Sequence, residues 1–241
     1  NYTLTRTWIA TDNCGNTDVE VQVITVQNTT DPELFGVPSD ATVECDAIPP
    51  PAIPTASDNC NVDVNISFEV EIVPGTCPDS YLMIRKWIAT NNCGNQDIQI
   101  QNITVQDTTD PTLSGVPANV TVECNAVPTL ANPTAEDNCD PNPTVTFNEV
   151  KTDGGCVDSY VLKRTWTATD ACGNESTATQ EVSVTDTEAP SLWEIPADLT
   201  VECNDILGIT SNPIATDNCD VDVDILFNET NTPGVCADTY T

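Results

Sequence analysis

Cys172 sits in "TWTATDACGN" (165–174), between an acid and a Gly-Asn pair, just after a Trp-bearing apolar run. A cysteine so placed has three chemical uses: nucleophile, metal ligand or half of a disulfide. A reactive thiolate needs its pKa lowered, most often by a neighbouring base. The chain has no histidine, so the commonest general base and the commonest zinc or copper ligand are both missing. Zinc clusters also need close pairs such as C-x-x-C, and none of the 12 cysteines is that near another. Twelve cysteines in an acidic chain rich in Thr, Asn, Asp and Pro indicate disulfides formed in an oxidising compartment.

Carboxylates are the other abundant group. Asp and Glu number 38 against 6 Lys and Arg, for a net charge of −32. In so acidic a chain a pair of carboxylates carries no information about acid–base catalysis. Ser and Thr are plentiful, but no His activates them and no G-x-S-x-G is present. The chain is therefore not expected to be an enzyme. Nucleic acid is excluded as a partner, because nothing neutralises its phosphates. Anionic membrane surfaces are disfavoured, and no run approaches the ~18 apolar residues of a bilayer-spanning helix. What the charge favours is multivalent cations, or simply a solvated surface.

The word around Cys172 recurs as "TWIATDNCGN" at 7–16 and "KWIATNNCGN" at 86–95. Cys14, Cys93 and Cys172 are spaced by 79, as are Cys45, Cys124 and Cys203. Cys60, Cys139 and Cys219 follow at 79 and 80, as do Cys77, Cys156 and Cys236. Tyr2, Tyr81, Tyr160 and Tyr240 keep that register, with Trp8, Trp87 and Trp166, and with Phe68, Phe147 and Phe227. Such a period is the mark of a tandem array. Pro32, Pro111 and Pro190 mark polar joins, so complete units are expected at 32–110 and 111–189. Residues 1–31 then form the tail of one unit and 190–241 the head of another. Two explanations stay open: a piece of a longer array, or a subunit whose N-terminal strand pair completes a neighbour's C-terminal half.

Within 111–189, "NVTVEC" (119–124) and "TVTFNEV" (144–150) alternate as half-buried strands do. "PTAED" (133–137) reads as a weak strand and "SYVLKRTWTAT" (159–169) as the longest, about 36 Å at ~3.3 Å per residue. "DACGN" is a hairpin loop with Gly173 suited to positive φ, and "ESTATQEVSVTD" (175–186) returns. No window is helical. The fold expected is all-β: tandem, immunoglobulin-like antiparallel β-sandwich repeats in a rod-like array. Few aromatics make a thin core, which disulfides must support.

Strand direction selects among the three possible connectivities. Taking the first strand as running down, Cys124 and Cys156 fall at the bottom of the unit, and Cys139 and Cys172 at the top. Cysteines at opposite ends of the long strand cannot come within the ~7 Å a disulfide allows. The expected pairs are Cys124–Cys156 and Cys139–Cys172, then Cys45–Cys77, Cys60–Cys93 and Cys203–Cys236. Cys14 and Cys219 are left without in-chain partners.

Two further sets of residues invite a role. Asp107 and Asp110, in a linker at the foot of one unit, should face the top loops of the next, which carry Asp137, Asn138, Asp170 and Asn174. Converging hard oxygens suit Ca²⁺. The alternative is that these residues only make turns and keep the surface soluble. No D-x-D-x-D-G loop is present, and Asn91 stands where Asp12 and Asp170 stand elsewhere. Arg6, Arg85 and Arg164 form the second set, half of all basic residues at one repeated position. Arg164 shares a strand face with Tyr160, Leu162, Trp166 and Ala168. It is expected to pack on Tyr160 and Trp166, as Arg85 on Tyr81 and Trp87, paired with a carboxylate such as Glu44, Glu123 or Glu202. N-glycosylation sequons begin at Asn1, Asn28, Asn65, Asn102, Asn119, Asn174 and Asn228.

The string "TVEC…DNC…FNEV…SYVLKRTWTATDACGN…VSVTDTEAP" resembles the repeats of giant cell-surface adhesins of Bacteroidota, including gliding-motility adhesins. It is also similar to hyalin-type (HYR) repeats, which share "ATD…GN" before the last strand. The resemblance covers every unit and linker. It implies an immunoglobulin-like, extracellular, non-enzymatic stalk or filament segment at the cell surface, with neighbouring repeats as partners. Surface glycans or proteins gripped by the loops are the alternative partners.

Overall fold

A computed structural model describes residues 1–60, 63–202, 205, 208 and 212–232. The first hairpin is β1 (Tyr2–Thr11) and β2 (Thr17–Val26). The next period holds β3 (Glu33–Phe35), β4 (Ala41–Glu44), β5 (Thr55–Ser57), β6 (Asn65–Pro74), β7 (Tyr81–Thr90) and β8 (Gln96–Gln106). The third repeats the series as β9 (Thr112–Ser114), β10 (Val120–Glu123), β11 (Thr134–Glu136), β12 (Thr144–Asp153), β13 (Tyr160–Thr169) and β14 (Glu175–Thr185). β15 (Ser191–Trp193) and β16 (Ile214–Thr216) follow, and the one helical element described is a 3-10 turn at Cys124–Ala126.

The fold is all-β and immunoglobulin-like. Each complete period makes a four-stranded sheet, β4-β8-β7-β6 or β10-β14-β13-β12, and a two-stranded one, β3-β5 or β9-β11. The chain switches sheets between β3 and β4, again at β5, and returns to the larger sheet at β6. That switching lets β4 run parallel to β8, and β10 to β14, while β7 is antiparallel to both its neighbours. The parallel pairs are a departure from the wholly antiparallel sandwich expected from the sequence. The three-residue strands β3, β9 and β15 fall in stretches read from sequence as linker, too short to show alternation.

Contacts divide the chain into two compact units. One comprises 1–111 with 136–143 and 169–174; the other comprises 112–135, 144–168 and 175–241. Each has its own small core. In the first, Leu34, Trp87 and Ala89 pack with Val37, Ala52, Ala56, Val64 and Ile66. In the second, Leu162, Val182 and Val184 pack with Val122, Val127 and Tyr160. The two-residue period of β7 and β13 sends Trp87 and Trp166 inward, and each meets a phenylalanine of the neighbouring strand, Phe68 or Phe147, at 5.1 and 5.4 Å between ring centroids.

The corner after β3 and β9 needs a left-handed residue. Gly36 and Gly115 supply it, with φ of 86° and 83°. At the same place after β15 stands Glu194, with φ of 59°, the one non-glycine residue of positive φ among those described. A side chain there costs about 1 kcal/mol relative to glycine. Glu194→Gly should therefore raise the stability of the second unit by roughly that amount in denaturant titration.

Candidate functional site

The cysteine loops are built by local hydrogen bonding. Asp170 Oδ1 accepts the N–H groups of Cys172 and Asn174, both at 2.8 Å, and its Oδ2 accepts from the Asn174 side chain at 2.8 Å. Asp12 makes the same three contacts with Cys14 and Asn16. Asn91 reproduces the two backbone contacts, to Cys93 and Asn95, through its carbonyl oxygen. Gly173, with φ of 91°, closes the turn as its sequence position required. Burial pushes the Asp170 carboxyl up, but the hydrogen bonds from Asn174, Cys172 and Gly173 outweigh it and hold the pKa below the usual aspartate value. Asp170 is thus a turn-making residue whose oxygens are already engaged.

The turn carrying Cys77 is closed by the Gly75 N–H on the Ser80 carbonyl at 2.8 Å; the Gly154 N–H donates to Ser159 in the same way at 2.7 Å, next to Cys156. A Cβ at either glycine would run into that serine's backbone, so only glycine lets the loop fold back this tightly.

The loops meet in a pairing that differs from the expected one. Cys45 bonds Cys139, Cys77 bonds Cys172, and Cys124 bonds Cys219, with Cα separations of 5.8, 5.0 and 5.7 Å. The pairs Cys45–Cys77, Cys60–Cys93, Cys124–Cys156 and Cys139–Cys172 do not form. Cys219, expected to lack a partner, has one, while Cys14, Cys60, Cys93 and Cys156 are exposed free thiols. Cys203–Cys236 lies outside the described residues. The reason is lateral. Cys45 and Cys77 do lie at one end of the sheet, but β8 and β7 separate β4 from the β6–β7 turn. At ~4.8 Å per strand that gap exceeds the ~7 Å limit. Cys60, after β5, and Cys93, after β7, stay unbonded although their loops meet through the Asn91 side chain and Asp58. Each bond instead joins a cysteine at the foot of one period to one in the top loops of the next.

Two of the three periodic arginines, Arg85 and Arg164, are buried, but their partners differ from those expected. Arg164 Nε donates to Glu149 at 2.8 Å, and Arg85 Nη2 to the Pro49 carbonyl at 2.6 Å. Val70 stands where Glu149 stands one period later, so Arg85 has no such carboxylate. Glu44 and Glu123 are occupied elsewhere, accepting from Thr108 and Thr187 respectively. Glu149 recurs as Glu229 but not at Val70, so it is not common to every period, and sequence reading missed it as the partner. Arg6, on the first hairpin, is exposed.

The acids gather where the top loops meet the foot. Asp107 is buried, and its Oδ2 and that of Asp137 have no hydrogen-bond partner. Their oxygens lie within 4.8 Å of one another, and Asp79 approaches Asp107 equally closely. Burial raises the Asp107 pKa, with repulsion from Asp137, Asp170 and Glu44 adding to it. Cys139 and Cys172 flank the cluster as cystine sulfurs and offer no thiolate. Asn174 donates to the Asp107 carbonyl at 3.2 Å, the Asn138 side chain donates to Cys139 Sγ, and Asp110 is exposed and in none of the acid clusters among the described residues. One period earlier the same positions hold Asn28, Asp58 and Asn91. There the amide groups of Asn28 and Asn91 donate to the two Asp58 oxygens at 3.0 Å each. Two amides thus stand where the later position has two acids.

No family model matches the chain, and no curated protein matches it. Solved structures resemble it distantly. A protocadherin gammaB7 EC3-6 cis-dimer structure aligns with TM-score 0.34 and 12% identity over 81% of this chain and 61% of its own. Drosophila N-cadherin EC1-4 aligns with TM-score 0.27 and 16% identity over 80% of this chain and 61% of its own. The N-terminal Ig1-2 module of Drosophila receptor protein tyrosine phosphatase DLAR aligns with TM-score 0.23 and 13% identity over 65% of this chain and 100% of its own. The chain thus spans under two thirds of the length of the two cadherins.

Asp170→Ala leaves two backbone N–H groups without an acceptor and removes one of the two acceptors of the Asn174 amide. It should cost about 2 kcal/mol in denaturant titration. Asp170→Asn, which keeps the acceptor that Asn91 uses, should cost well under half of that. Equal costs would mean that the carboxylate charge, and not the turn, matters.

Proposed function

We propose that the chain is part of a non-enzymatic stalk or filament of a secreted or cell-surface bacterial adhesin, with 32–110 and 111–189 as its repeating structural units. The observation that carries this reading is the direction of the cystines. A disulfide closing one domain stabilises that domain alone. Bonds from Cys45 to Cys139, Cys77 to Cys172 and Cys124 to Cys219 make each repeat covalently continuous with the next, away from the peptide linker. That arrangement serves a chain under tension. Disulfides also favour an oxidising, extracellular setting, and no described helix is long and apolar enough to cross a membrane. The resemblance to Bacteroidota surface repeats supplies the bacterial part of the proposal. In negative-stain electron microscopy the oxidised chain should be extended and of uniform curvature, and the reduced chain bent at varied angles. Equal spreads of curvature would count against a load-bearing role.

Calcium belongs to the same proposal, at one position and not the other. Asp107 and Asp137 present unsatisfied buried oxygens beside Asp79 and Asp170, a hard, anionic set suited to Ca²⁺. Around Asp58 the amides of Asn28 and Asn91 already fill that role. Calorimetric titration should show a Ca²⁺-binding event that Asp107→Asn abolishes, and the same variant should melt higher than the parent in chelator. The sign with pH follows from the raised Asp107 pKa: the folded state holds the proton more tightly than the unfolded one. Without metal, stability should therefore rise as pH falls from neutral through the folded-state pKa, towards the ordinary aspartate value of 3.8. Below that value the lowered carboxylates, Asp170 and Glu44 among them, take protons and stability falls again. Asp107→Asn should remove the rise and keep the fall.

A further inference from the structure

The acids around Asp107 are each tied to a half-cystine. Asp79 follows Cys77 by two residues, in the turn that the Ser80 N–H closes on the Cys77 carbonyl at 3.1 Å. Asp137 Oδ1 accepts the Cys139 N–H, and Asp170 Oδ1 the Cys172 N–H, both at 2.8 Å. Glu44, next to Cys45, accepts from the Thr108 N–H and hydroxyl at 3.0 and 2.8 Å, which fixes the residue after Asp107. The sulfurs themselves stand at the site. Cys172 Sγ lies within 4.8 Å of oxygens of Asp79 and Asp107, and Cys139 Sγ within 4.8 Å of oxygens of Asp107 and Asp137. Asp107, only 7% exposed, leaves its Oδ2 unpartnered at the centre.

We propose that this acid cluster and the cystines Cys45–Cys139 and Cys77–Cys172 form one linked device: Ca²⁺ held by the acids makes both bonds harder to reduce, and reducing them releases the ion. The inference deepens the calcium reading above and rests on it. The linkage comes from a shared cost. Asp79 and Asp107 belong to one sequence period, Asp137 and Asp170 to the next, and like charge drives the two pairs apart. A sulfur bond opposes that drive, and so does a bridging cation. Whichever is present has already gathered the four loops, so the other forms at lower cost. Coupling of this kind is reciprocal. The factor by which the cystines raise calcium affinity is the factor by which calcium raises their resistance to reduction.

In the reductive step two glutathione thiols give up two electrons and two protons and become one glutathione disulfide. The cystine takes them up and becomes two thiols. The calcium ion returns to water with its charge unchanged. The third cystine supplies an internal contrast. Cys219 Sγ also lies near acids, Glu123 and Asp186. Those acids already accept from Thr187 and Glu188, and neither is buried as Asp107 is. The device therefore does not extend to Cys124–Cys219.

The exposed free thiols of the full oxidised chain are first alkylated. The chain is then equilibrated across glutathione ratios, with saturating Ca²⁺ or with chelator, and each cystine is quantified by mass spectrometry. Calcium should raise the ratio of squared thiol to disulfide concentration that half-reduces Cys45–Cys139 and Cys77–Cys172 by at least about tenfold, and leave Cys124–Cys219 where it was. Asp107→Asn should remove the shift. In calorimetry, Cys77→Ser combined with Cys172→Ser should weaken calcium binding by a comparable factor; the redox titration of the parent chain decides the matter even where that variant does not fold. Unshifted midpoints in a chain that calorimetry shows binding Ca²⁺ through Asp107, or an equal shift of all three cystines, would overturn the linkage and leave the calcium reading standing. No calcium binding by the oxidised chain would overturn both.

Discussion

Everything in this molecule depends on sulfur bonds that run between successive sequence periods. The cores are small: among the described residues ten hydrophobic side chains are buried, five in each complete period. Loops as long as those between Cys45 and Cys139 or Cys77 and Cys172, with separations of 94 and 95 residues, are where a cross-link restricts the unfolded chain most. In the chain-entropy model each is worth about 4–5 kcal/mol, more than a short bond within one repeat. The hydrogen-bonded loops at Asp170 and Gly75 exist to hold those sulfurs in reach. The polar groups of these loops are thereby engaged in presenting cysteine.

The charge follows from that arrangement. Bringing top loops against the foot of the preceding period crowds acids in a chain of net charge −32. The molecule meets the crowding in two ways. Around Asp58 two asparagine amides neutralise the carboxylate by donation. Around Asp107 the amides are replaced by acids, and burial and repulsion raise that carboxyl's pKa. A substitution that looked like a defect in the pattern, Asn91 for aspartate, is the neutral solution, and the regular residue, Asp170, belongs to the charged one.

Much of this was legible in the sequence, and the parts that were not share a cause. The alternation in "TVTFNEV" and "YVLKRTWTAT" located β12 and β13 within a few residues. The inward face of Tyr160, Leu162, Arg164, Trp166 and Ala168 needed only the two-residue period. What failed was lateral position. Period and direction say which end of a sandwich a cysteine occupies. They do not say which strand stands between it and another, so Cys45 was assigned to Cys77 across two intervening strands. The partner of Arg164 was missed for a related reason. Glu149 has Val70 one period earlier, and a reading built on repetition turned to the acids present in every period, Glu44, Glu123 and Glu202. The short strands β3 and β9 carry too few residues to show any pattern.

The central claim is that the cystines, not the peptide linkers, carry load from one repeat to the next. Single-molecule stretching from the two ends tests it. Reduced, the chain should extend on the order of 800 Å at ~3.5 Å per residue. Oxidised, the shortest covalent path jumps from Cys45 to Cys139 and from Cys124 to Cys219, which limits extension to about 300 Å on the same scale. Equal extensions before and after reduction would contradict the account.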